Sequence, residues 1–562
     1  MFRSFAGMAL TGFVAACAAG QPVATEDVST QNAQEVVAGP ITVYTGGTIY
    51  TGLDDPRTVE AVVVGADGRI LTTAPPASRD WSAEDVTLID LGDAVMYPGF
   101  VDGRAHLLGI GQRELSLDLT GTASIDELVT RLDIEAYGLP EDAILAGRGW
   151  IETGWPEGRM PTAADIDAVV GDRIVVLGRA DGHALVASSA ALAAAGITDD
   201  TPDPAGGKIE RDETGKATGI LVDNAMAQVW ALVGTPSEDE IRRAFVEAGK
   251  VYTSRGWTGV HNMSVEPGHA AILETLDDAG RMPLRLWNAY DSSGGQIATD
   301  RAHETDTIRN RAVKLYMDGA LGSRGALLQA PYSDRPDTIG LALLETPGLE
   351  AEMERAAAGD YQLAIHAIGD LANRRVIETF DQGGFGEAKR WRIEHTQILD
   401  PEDIDRVADV GLIASMQPSH AIGDLKFAPD RLGMERLEGA YAWQSLLDAG
   451  AVVVGGSDAP VEVGSPLIEF YAAVARESLD GYSAEGWHPE EAVSREAALA
   501  MFTQAPAYAS FMEDELGTIE PGKRADFSVF DRDLLTVPED EILAARPVMT
   551  VVEGEIVWQD DE

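Results

Sequence analysis

The sequence predicts an α/β protein: a (β/α)8, TIM-type barrel carrying a small β-sandwich assembled from both ends of the chain. Three observations predict it. Short apolar runs in the middle of the chain end in residues able to bind a metal. Helical segments alternate with those runs. Segments rich in β-formers and turn residues lie at both ends.

Residues 1–17 read as an export signal. Arg3 gives a positive start, FAGMALTGFVAA is too short to span a membrane, and Val14-Ala15-Ala16-Cys17 is similar to the bacterial lipobox. Lipidation at Cys17 is therefore expected, making the protein an exported, lipid-anchored resident of a bacterial cell envelope. Ala18, and not an acidic residue, directly follows Cys17, so the periplasmic face of the outer membrane is the expected destination. Cys17 is the only cysteine, which excludes an intrachain disulfide. Residues 18–40 are polar and aperiodic and read as a tether. No later segment has the sustained apolar run of a membrane helix.

In residues 41–96, ITVYTGGTIYTG, TVEAVVVGADGRI and VTLIDLGDAVMYP alternate or cluster β-formers between Gly, Asp and Pro turns. ADFSVFDRD and VMTVVEGEIVWQ in residues 511–562 do the same, so the two regions are expected to form one sandwich. Between them, residues 97–510 are expected to form the barrel. His106 closes AVMYPGFVDGRAH, Lys314 lies in RAVKLYMDGA, His366 ends YQLAIH, His395 ends RWRIEH and Asp458 ends AVVVGGSD. An apolar run bounded by Gly or polar residues reads as a buried strand. Ligands at the C-terminal ends of successive parallel strands are how such a barrel builds an active site. The gaps leave room for crossover helices, of which SIDELVTRLDIEAYG and EDEIRRAFVEAGKVYTSRG are examples. Thr235-Pro-Ser-Glu and Asp400-Pro-Glu-Asp read as helix starts.

The chain has 562 residues, 93 acidic and 42 basic, for a formal charge of −51. That excludes nucleic acid as a partner, because phosphate binding needs a basic footprint. It also opposes polybasic adhesion to anionic lipid. A solvated acidic surface accounts for the charge.

PGFVDGRAHL, DGHALVASSAAL, KLYMDGALGSRGALL, AIHAIGDLANRRV, RIEHTQ and GGSDAPVE occur in the order found in the amidohydrolase superfamily. The chain most resembles the branch similar to N-substituted formamide deformylase, and IEPGKRADFSVFD resembles that superfamily's return into its sandwich. The resemblance implies metal-assisted hydrolysis of a non-peptide C–N bond in a small molecule, with one or two divalent ions, zinc by preference, activating water. It implies metal ligation by His106, Lys314, His366, His395 and Asp458, with Asp458 as proton shuttle. Lys314 corresponds to a bridging lysine that carries a carbamate in many members. Its alternative is a salt bridge with Asp318, and the alternative for Asp458 is a turn or N-cap role.

His183 matches a motif facing the substrate pocket, or is a satisfied core residue. Trp150 and Trp155 line an apolar pocket or pack. His261 and His420 follow strands and are secondary candidates, whereas His269, His303 and His488 read as solvated. One departure stands out. The superfamily's first barrel strand ends in His-x-His, but the corresponding residues are Arg104-Ala105-His106. Arginine is cationic and only donates, so it cannot ligate. It can pair with Asp458 in a metal's place and depress that carboxylate's basicity. Three readings stay open: a one-metal hydrolase, an inactive lipid-anchored binding protein, and a two-metal enzyme carrying a lesion. The oligomeric state is left open.

Overall fold

The apolar runs of the middle region form eight parallel strands: β1 (Phe100–Ala105), β2 (Trp257–Val265), β3 (Arg285–Tyr290), β4 (Ile308–Tyr316), β5 (Gln362–Ala367), β6 (Arg392–His395), β7 (Ile413–Met416) and β8 (Val453–Gly455). They are hydrogen-bonded in sequence order, β1 through β8. The computed structural model describes residues 40–561 except 56, 75–84, 141, 153, 180–183, 205–206, 293–303 and 484–486. These belong to one compact unit, 39–562. The expected signal, lipobox and tether, with Cys17, lie outside the described residues, as do His183 and His303.

The barrel closes between β1 and β8. Past the end of β8, the Asp458 amide donates to the Arg104 carbonyl at 2.7 Å and the His106 amide to the Ala459 carbonyl at 2.8 Å. Two glycines permit the approach. A Cβ on Gly103 would meet the Gly455 carbonyl oxygen at 2.4 Å, and one on Gly456 would meet the Arg104 nitrogen at 2.4 Å. Strands buried on both faces explain the near-continuous apolar runs. Helices pack outside, and their starts follow local chemistry. Ser237 and Glu240 close a reciprocal capping box at the start of helix Glu238–Ser254, two residues beyond Thr235. Asp400 accepts from the Glu402 amide at 3.1 Å, with Pro401 at the first helical position.

The terminal segments share one eight-stranded sheet. Strand Val95–Pro98 pairs antiparallel with Phe527–Phe530, joining N-terminal strands to C-terminal ones around a core that includes Tyr44, Met96, Phe527 and Val551.

The region assigned to the barrel contains more than a barrel. Between β1 and β2, a six-stranded sheet runs in the order Gly207–Arg211, Ala217–Asp223, Ala184–Ala187, Val175–Arg179, Leu145–Trp150, Leu117–Asp118. Its alternation is strict: Val175 and Leu177 enter one apolar cluster, Val176 the other. Leu145–Trp150 and Val175–Arg179 pair parallel and are buried apart from Arg148 and partly covered ends, so in sequence they read like barrel strands. Trp150 belongs to this core and not to a substrate wall. It is fully buried and its indole N–H donates to the Leu177 carbonyl at 2.9 Å. Trp155 packs beside it and donates to the Thr122 carbonyl at 2.6 Å. Among the described residues no helix is long and apolar enough to cross a membrane.

Candidate metal centre

The strand ends bring a group of nitrogen and carboxylate side chains to one mouth of the barrel. His106 follows β1, Lys314 lies in β4, His366 in β5, His395 ends β6, and Asp458 follows β8. His420 joins them from helix Pro418–Asp424, after β7. The His366 and His395 rings are 4.5 Å apart, and His420 stacks on His395 at 5.7 Å. His106 Nε2 lies 3.3 Å from Asp458 Oδ1 and His420 Nε2 lies 3.7 Å from Asp458 Oδ2. Ligand atoms of His395, His420 and Asp458 all lie within 4.8 Å of one another.

The donors are buried and free. His366 Nε2, both His395 ring nitrogens, His420 Nε2 and Lys314 Nζ have no hydrogen-bond partner. Each buried polar atom left this way costs about 1–3 kcal/mol. Five together at one mouth suit a divalent cation, which would satisfy several of them at once. Burial, with the Arg104 charge adding to it, pushes His106 and His420 down to about 3 and holds His366 and His395 well below the ordinary range. The imidazoles are therefore neutral, as ligands must be. Burial and then Arg104 also hold Lys314 well below the lysine range, favouring a neutral amine.

Arg104 is the misfit. It is 3% exposed, and its Nη1 forms an ion pair with Asp458 Oδ1 while its Nε lies 3.6 Å from Glu394 Oε2. Burial lowers it only to about 10, so it stays cationic at neutral pH. The orphaned nitrogens of Lys314, His366, His395 and His420 suit a divalent ion on the side away from the guanidinium, although the carboxylate nearest His395 and His420 is the Asp458 that Arg104 already engages. The residues do not fit a second beside His106, where the guanidinium already meets the carboxylate.

Buried carboxylates brace the mouth. Asp102 accepts from the Ser457 amide at 2.9 Å, the Ser457 hydroxyl at 2.6 Å and the Tyr252 hydroxyl at 3.0 Å, fixing the loop that carries Asp458. Asp318 accepts the amides of Leu327, Ile368 and Gly369 at 2.8–3.0 Å, and this loop-tying role stands in place of the salt bridge to Lys314 that was the alternative to ligation. Glu394 is held by Arg392 at 2.6 Å and Ser415 at 2.8 Å. His395 and Asp458 both take left-handed backbone, φ 78° and 61°, a strain that clusters at functional sites.

His261 does not join the group. It lies within the barrel, its Nδ1 2.7 Å from Arg392 Nη1. His420, a secondary candidate in sequence, does join. It sits in a helix after the strand and not at its end, so the strand-end pattern undervalued it. His269 and His488 are partly buried beside glutamates, not freely solvated. Asp102 and Glu394 sit inside the motifs PGFVDG and RIEH, and only their burial reveals their roles.

The chain matches the model of the "Amidohydrolase family" over residues 87–558. It is 32% identical to YtcJ of Bacillus subtilis (strain 168), covering 92% of this chain and 99% of that protein. It is 29% identical to N-substituted formamide deformylase of Arthrobacter pascens, covering 90% of this chain and 97% of that enzyme. Among solved structures, it is similar to an uncharacterized metal-dependent hydrolase from Pyrococcus furiosus, with a TM-score of 0.73 at 28% identity, covering 88% of this chain and 100% of that one.

Proposed function

The chain belongs to the amidohydrolase family, and from that premise we propose that it hydrolyses a non-peptide carbon–nitrogen bond, of amide or formamide type, in a small molecule. The observation that carries this reading is the cluster of unpartnered neutral donors at the mouth: Lys314, His366, His395 and His420. A divalent ion, zinc by preference, would be held by Lys314, His366 and His395, and would supply Lewis acidity and a water acidified to near neutral pH. Lys314 in its neutral form can add to carbon dioxide through Nζ and release a proton, giving the anionic carbamate ligand. Asp458 serves as shuttle: its carboxylate takes the proton of the attacking water as the new C–O bond forms. It then gives that proton to the leaving nitrogen as the C–N bond breaks. One carboxylate suffices, because the proton gained is the proton returned.

The ion pair from Arg104 to Asp458 favours a second reading. The guanidinium competes for the carboxylate that must take the proton, so the protein would bind a small molecule without turning it over. A panel of N-acyl amines and formamides, incubated with purified zinc-supplemented protein, separates the two. Release of amine supports hydrolysis, whereas tight binding without release supports the alternative.

The protein is further proposed to be exported and anchored by a lipid on Cys17, on the strength of the lipobox-like VAAC and the preceding apolar run. Labelling with a fatty-acid analogue is expected for the unmodified chain and not for Cys17→Ser. Equal labelling of both would refute lipidation.

A further inference from the structure

Beside the metal centre lies a recess of about 290 Å³, whose walls include Ser419, Ile422, Glu462, Val463, Ile468 and Leu479. It adjoins the reacting groups directly. Glu462 Oε1 is 3.7 Å from His420 Nε2, the nitrogen that lies 3.7 Å from Asp458 Oδ2. Glu462 also follows Asp458 by four residues on the same loop.

The recess sets Glu462, the carboxylate that meets His420, among apolar side chains, with Asp480 and Lys426 also in its lining. Among the described residues, His420 is the only basic side chain within 4 Å of the Glu462 carboxylate, and burial keeps that imidazole neutral; Arg113 donates instead to the Glu462 backbone carbonyl at 2.9 Å. Two further buried carboxyl groups, Asp424 and Glu469, lie close enough for the Glu462 charge to act on both. Lys426, the basic residue on the rim, is exposed and its charge acts on Asp480. Ser419 supplies a second, independent sign of a ligand. It is 3% exposed and lines the recess; its amide donates to Glu469 at 3.0 Å, and its hydroxyl, beside that same carboxyl, has no other partner. Val463 and Leu479, each about half exposed, give apolar surface at the opening.

We propose that this recess is a substrate subsite that takes a cationic amine carried on a short apolar chain, with Glu462 as the counter-charge and Ser419 as hydrogen-bond partner. The substrate would then be the mono-acylated form of a diamine or a similar cationic amide. A carboxylate in a half-buried, apolar recess attracts an ammonium group more strongly than one in open water. This deepens the hydrolase reading and rests on it for the word substrate, but the subsite itself is testable without turnover.

The test uses the full chain and two probes of equal length, n-butylammonium and n-butanol, titrated by calorimetry at pH 8 into metal-stripped protein. The cation is expected to bind about tenfold or more tightly than the alcohol, and Glu462→Gln to abolish that ratio. Glu462→Asp, which keeps the charge, is expected to retain part of it. Equal affinity of the two probes for the unmodified protein, or a ratio untouched in Glu462→Gln, would overturn the proposal. Turnover of mono-acylated diamines against N-acyl alkylamines separates the two readings. Hydrolysis without preference for the cationic member would sink the subsite alone. Cation binding through Glu462 with no hydrolysis of either would leave the subsite standing and remove the enzyme.

Discussion

Replacing Arg104 by histidine should trade stability of the metal-free protein for metal capacity. Asp458, with a side chain 7% exposed, loses its buried counter-charge in Arg104→His, whereas Glu394 keeps Arg392 and Ser415. Breaking one side of a buried ion pair costs about 3–5 kcal/mol, and the retained partners of Glu394 favour the lower end, about 3 kcal/mol. Zinc at about a hundred times its dissociation constant stabilises by about 2.7 kcal/mol per ion. One ion in the unmodified chain and two in Arg104→His would therefore bring the two proteins to near parity in zinc. Urea denaturation followed by tryptophan fluorescence, in chelator and in zinc, reads both quantities. The hydrolytic rate is expected to rise with the second ion. Adding Asp458→Asn is expected to remove that gain, a fall of about 10²–10⁴-fold, because an amide cannot take and return a proton. A metal-free Arg104→His protein as stable as its parent, or equal zinc increments in both, would show that Arg104 neither pairs with Asp458 nor blocks a second ion.

Two other outcomes follow from the packing. Burial raises Glu462 to about 7, so the folded protein loses stability as pH climbs from about 4.5 to about 7 and that carboxyl ionises without a counter-charge. Glu462→Gln should gain about 3 kcal/mol on the parent between pH 5 and pH 8, read from denaturation midpoints; a pH-independent difference would contradict it. Trp150→Ala should destabilise the inserted sheet by about 3–5 kcal/mol, seen by proteolysis or hydrogen exchange at residues 117–223, and leave metal content unchanged. Loss of metal with an intact sheet would place Trp150 at the site after all.

The barrel was legible because its strands are short apolar runs whose ends are marked by histidines and an aspartate. His366 and His395 needed nothing beyond the words YQLAIH and RWRIEH. The inserted sheet was not legible as a separate lobe. Its strands LAGRGW and VVLGR are parallel and mostly buried, as barrel strands are, and pairing partners distinguish them. His420 was undervalued because a helix, not a strand end, delivers it. Asp102 and Glu462 were invisible as site residues: one acts through three hydrogen bonds to Ser457 and Tyr252, the other through a recess that exists only once the chain has folded. Arg104 was legible in both senses, as a missing ligand and as the partner of Asp458.

We propose a single metal position, with donors on the Lys314 side and the Arg104 guanidinium where a second ion would sit. Native mass spectrometry of the unmodified protein, purified without chelator and supplied with zinc, tests it most directly. One tightly bound divalent ion per chain is the predicted mass increment. Two ions at full occupancy would show that Arg104 yields its place, and none would show that the free nitrogens of His366, His395 and Lys314 do not form a metal site.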